Sequence, residues 1–100
     1  MTLQVEFVEH IPEKLEKGVL YISIPHTVAI HLCACGCREE VVTPLHPKTG
    51  WTLIFNGVDI SLRPSIDNWN FSCRSHYFIT NNKIMWCRSW GMPELKKAKK

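Results

Sequence analysis

The chain has 100 residues, 45% of them hydrophobic, with 12 Lys+Arg against 9 Asp+Glu and a formal net charge of +3. That length suits one domain able to bury a core, to which a bound metal would add stability where the core is thin. No apolar run approaches the ~20 residues of a membrane-spanning helix, so no membrane partner is expected. Much of the positive charge sits in the final Lys96-Lys97-Ala98-Lys99-Lys100, not in a stripe with interleaved aromatics, so nucleic acid is not expected either.

In chain order, residues 3–8 (Leu-Gln-Val-Glu-Phe-Val) alternate apolar and polar and predict a strand. Residues 11–17 form a short charged link with room for one helical turn after Pro12. Val19 to Ile24 is rich in β-formers. Thr27 to Leu32 is a further strand, and Val41-Val42 a short one after the cysteine cluster. Pro44 to Gly50 has loop chemistry. Asn56-Gly57 between Trp51–Phe55 and Val58–Leu62 predicts a two-residue hairpin, with Val58, Ile60 and Leu62 on one face. Pro64 to Asn68 reads as a structured loop. Asn81-Asn82 predicts a second hairpin, joining Tyr77–Thr80 to Lys83–Trp86. The expected fold is mainly β: a small single domain of short antiparallel strands and hairpins over residues 1–92, pinned by one zinc site, followed by a flexible basic tail at 93–100.

Three of the five cysteines fall in Cys33-Ala34-Cys35-Gly36-Cys37, and a fourth opens Cys73-Arg74-Ser75-His76. A tight Cys-x-x-His turn aims two ligands at one point, and two more from the first cluster would complete a set that suits zinc. Five groups compete for four places. The compact Cys-x-x-His chelate favours Cys35, Cys37, Cys73 and His76, with Cys33 as alternate; if Cys33 binds instead, His76 is released for chemistry. Cys87, alone in a hydrophobic strand, is assigned to the core. An odd cysteine count and no apparent secretory signal argue against a disulfide framework, so a cytoplasmic location is expected.

The ordered set Cys-x-Cys-Gly-Cys, Trp51, Pro64-Ser65-Ile66, Cys73-x-Ser75-His76-Tyr77 and Trp86 resembles a small bacterial family associated with ubiquitin-like conjugation genes, where its members look like the peptidase component. The resemblance covers roughly residues 30–90. It implies a metal-bearing fold and hydrolysis of a bond to a ubiquitin-like protein or its conjugates.

Ser65 is the first candidate nucleophile: it follows a hairpin strand, on a backbone restricted by Pro64. It would need a base and an oxyanion hole, and His76 and His31 are the available bases beside the cysteines. The competing reading is a turn-capping hydroxyl, as Pro-Ser-x-Asp sequences usually supply. Asp67 could orient a histidine or cap a turn. Ser75 fits a supporting role at the metal knuckle. His10, His26 and His46 carry no chemical signal, and Trp69 is a candidate contact residue. The expected function is a peptidase processing or deconjugating a ubiquitin-like protein; the alternative is a zinc-stabilised protein-binding module without catalysis.

Overall fold

The computed structural model describes residues 1–87. The expected basic tail lies outside them. Among the described residues, eight strands form two four-stranded sheets. The first orders β1 (Gln4–Phe7), β2 (Val19–Ser23), β3 (Val28–Leu32) and β4 (Glu40–Pro44); the second orders β5 (Thr52–Phe55), β6 (Ile60–Asp67), β7 (His76–Thr80) and β8 (Lys83–Trp86). Among the described residues no helix is long and apolar enough to cross a membrane.

Alternation decides which side chains face inward. Ala29 and His31 on β3, Val41 and Thr43 on β4, and Tyr77 and Ile79 on β7 are buried between more exposed neighbours. The apolar ones among them, Ala29, Val41, Tyr77 and Ile79, join Leu20 and Ile22 from β2, Ile60, Leu62 and Ile66 from β6, Ile84 from β8, and Leu3 in one hydrophobic cluster fed by both sheets. The N-terminus ties the sheets together, because Ile84 N–H donates to Met1 O and Leu3 N–H donates to Asn82 O.

Four expectations change. β1 runs parallel to β2, not antiparallel, because residues 8–18 carry the chain back before the next strand begins. That link bends without a helical turn and lies against β2, where Glu16 N–H donates to Tyr21 Oη and Ser23 Oγ donates to Glu9 O. β5 and β6 do form a hairpin, but Phe55 pairs with Ile60, so four residues make the loop. The Asn56 side chain closes that loop by accepting from Val58 N–H and Asp59 N–H. This leaves Val58 80% exposed instead of inward. Finally, residues 64–67 are not a loop: β6 runs on to Asp67 through a bulge. The Asn81-Asn82 hairpin forms as expected, with both residues at positive φ and Thr80 opposite Lys83.

Candidate active site and candidate metal centre

β3 delivers the chain into a loop that reverses at Gly36, whose φ of +93° suits glycine. Gly36 N–H donates to Cys33 O, and Cys33 N–H donates to Glu39 O across the mouth of the loop. The thiols of Cys33, Cys35, Cys37 and Cys73 lie within 4.8 Å of one another. The Cys33–Cys35, Cys37–Cys73 and Cys33–Cys73 sulfurs are 3.5, 3.6 and 3.8 Å apart. Disulfide sulfurs sit about 2.05 Å apart, so these are free thiols. A tetrahedral Zn–S₄ site with bonds of about 2.3 Å has sulfurs about 3.8 Å apart, so the four residues fit a zinc ion.

Polar groups line the Cys33 and Cys73 side of the cluster, while Cys35 and Cys37 are exposed. Ser75 Oγ lies 3.1 Å from Cys33 Sγ, and Asn68 Nδ2 donates to Ser75 Oγ at 2.9 Å. Burial alone would raise the Cys73 thiol; hydrogen bonds with Ser75, and then with Cys35 and Cys37, outweigh it and bring the pKa down to about 7. Burial and the neighbouring Cys37 push Cys35 up. Four crowded thiols resist joint ionisation unless a cation holds them, and a coordinating metal supplies that charge.

His76 is not part of the sulfur cluster. Ser75 and Tyr77 are both buried, so alternation along the start of β7 turns His76 to the opposite, outer face. There its Nε2 lies 2.9 Å from Ser65 Oγ. Ser65 reaches it because of the β6 bulge. Leu62 pairs with Ile79 and Ile66 with Tyr77, so Arg63, Pro64 and Ser65 stand opposite Phe78 alone. Such bulges re-aim side chains. Both Ser65 and His76 are half-buried.

Residues 7–87 match the family of the bacterial ubiquitination-like system serine protease, BubE. The chain belongs to the BubE family. No curated protein and no solved structure matches it. The BubE match begins well before residue 30, so it takes in β2 and β3 as well as the cysteine loop.

The other candidates of this BubE-family chain separate. His31 is fully buried, with Nε2 2.7 Å from Tyr77 Oη and Nδ1 lacking a partner among the described residues. Burial lowers its pKa to about 4, so it is neutral at pH 7. Asp67 sits opposite His76 in the ladder, while its Oδ1 accepts from Trp69 N–H and so caps the turn. Trp69 is exposed beneath the Arg74 guanidinium. His46 caps its own loop by accepting from Lys48 N–H and Thr49 N–H, and His10 pairs with His26 at the surface. Cys87 is half-buried just past β8, not in the core, and its N–H donates to His76 O.

Sequence reasoning passed over Asn68, Tyr77 and Arg63. Inward-facing Ser75, Tyr77 and Ile79 form a period-two pattern that was available to place His76 away from the sulfurs. Nothing in the sequence singles out Asn68.

Proposed function

We propose that the chain is a serine peptidase that processes or deconjugates a bacterial ubiquitin-like protein, with Ser65 as nucleophile and His76 as its base. Cys33, Cys35, Cys37 and Cys73 hold a zinc ion of structural role. The observation that carries this reading is the 2.9 Å contact between Ser65 Oγ and His76 Nε2 at the part-buried β6 bulge. The family's description as a serine protease supports it.

A serine hydroxyl is a weak nucleophile until a base takes its proton. Ser65 Oγ attacks the scissile carbonyl carbon while His76 Nε2 accepts the proton. The tetrahedral oxyanion is held by backbone N–H donors. Collapse breaks the C–N bond, and His76 returns the proton to the leaving amine. Water then cleaves the ester by the same proton transfers, restoring Ser65. His31 stays outside this sequence, as a neutral core group. Zinc, when bound, supplies four closed ligand bonds that fix the Cys33–Cys37 loop against the segment leading to His76. Four reduced thiols suit a cytoplasmic setting.

The test is cleavage of the ubiquitin-like partner carrying a C-terminal extension. Ser65→Ala and His76→Ala are each expected to reduce cleavage on the order of 10³-fold or more, while keeping zinc and fold. Full cleavage by Ser65→Ala overturns the serine mechanism. A wild-type chain that binds the partner without cleaving it establishes the binding-module reading instead.

A further inference from the structure

Two surplus residues in β6 create an unsolved positioning problem. β6 keeps register with β5 through Arg63, which pairs with Thr52, but keeps register with β7 only through Leu62. From there the strand bows out over Arg63, Pro64 and Ser65 opposite Phe78. A bulge forfeits ladder bonds, so something else must fix where its residues lie.

Arg63 is placed to do so. Its Nη1 donates to Leu62 O at 2.8 Å and to Ile79 O at 3.1 Å, and its Nη2 donates to Thr80 Oγ1 at 2.9 Å. Its guanidinium carbon lies 5.0 Å from the centroid of the Phe78 ring. One side chain at the start of the bulge thus reaches three consecutive β7 residues, Phe78 to Thr80, directly after Tyr77 and His76. A planar fork that stacks and donates in fixed directions holds such a geometry; a lysine ammonium does not reproduce it.

We infer that Arg63 is a positioning residue: by clamping the bulge against Phe78, Ile79 and Thr80, it sets Ser65 Oγ within hydrogen-bond distance of His76. The inference rests on the nucleophile reading only for its effect on rate; the geometric effect stands apart from it. The clamp pins the bulge at its start, and the Ile66–Tyr77 pairing pins it at its end. Ser65, between the two, inherits its position from both. Small displacements matter here, because a nucleophile moved by about 1 Å loses much of its reactivity.

The experiment compares wild type, Ser65→Ala, Arg63→Lys and Thr80→Val as zinc-loaded full chains. One readout is the rate at which a fluorophosphonate probe modifies Ser65, followed by mass spectrometry. The other is the ¹⁵N resonance of His76 Nε2 at fixed pH, which reports its hydrogen bond to Ser65 whether or not the enzyme turns over. Arg63→Lys is expected to slow modification tenfold or more while staying folded, and to move the His76 resonance toward its position in Ser65→Ala. Thr80→Val, which removes one acceptor, is expected to do the same more weakly, and it carries the test if Arg63→Lys does not fold. Wild-type rates with an unmoved resonance overturn the clamp. So does a rate loss that only follows the unfolded fraction. A wild-type chain inert to the probe, with the resonance still moved by Arg63→Lys, defeats the nucleophile reading and leaves the clamp standing.

Discussion

Replacing Tyr77 by Phe tests the joint between the two sheets. The ring of Tyr77 is fully buried in β7, and its hydroxyl lies 2.7 Å from His31 Nε2 on β3. It also accepts from Ala34 N–H at 3.3 Å, inside the cysteine loop. Burial raises the phenol pKa far above its ordinary value, so the group stays neutral and able to donate. The substitution keeps the ring and its packing and removes one oxygen. It leaves His31 Nε2 stranded in a dry core, at a cost of about 1–3 kcal/mol. Ala34 is only half-buried, so water can reach its N–H and that loss adds little. A total of about 2 kcal/mol corresponds to a Tm drop of roughly 8–16 °C for a domain this size. Urea and thermal melts at pH 7.5 with zinc present measure it. A double-mutant cycle with His31→Leu isolates the pair, with an expected coupling of about 1 kcal/mol or more. A Tm within about 2 °C of wild type, or no coupling beyond about 0.3 kcal/mol, would refute the reasoning, since it would mean water replaces the hydroxyl.

Three further outcomes follow from the same geometry. Burial depresses the His31 pKa from 6.5 to about 4, so the unfolded chain takes up its proton first. Stability from this group is therefore full above about pH 7.5 and falls as pH drops from 6.5 toward 4, by about 2 kcal/mol at pH 5; pH-dependent melts of His31→Gln should lack that component. Cys37→Ser and Cys73→Ser should lose zinc by elemental analysis and melt earlier, whereas His76→Ala and Cys87→Ser should keep one zinc per chain. Asn68→Ala removes the donor to Ser75 and should weaken zinc binding about 10–100-fold in chelator competition, with the four thiols intact.

The first strand was legible from its apolar–polar alternation, β2 from its run of β-formers, and the Asn81-Asn82 turn because both residues tolerate positive φ. The sulfur cluster was legible from spacing alone. The choice between Cys33 and His76 was not. Chelate spacing measures reach along the chain, whereas the outcome depends on which face each residue takes once Tyr77 and Ile79 enter the core. The bulge that presents Ser65 was hidden for a related reason: it is a mismatch between two ladders, and neither strand records it alone. Asn56-Gly57 misled because the Asn56 side chain prefers to close a four-residue loop with its own oxygen.

The most direct test of Ser65 and His76 as the reacting pair is peptide mapping of an acid-quenched turnover mixture of the zinc-loaded chain with its ubiquitin-like substrate. The account predicts an ester between the substrate's C-terminal carboxyl and Ser65 Oγ, absent in Ser65→Ala and strongly reduced in His76→Ala, with zinc retained in both. An acyl adduct on a cysteine, or undiminished turnover by Ser65→Ala, would contradict it.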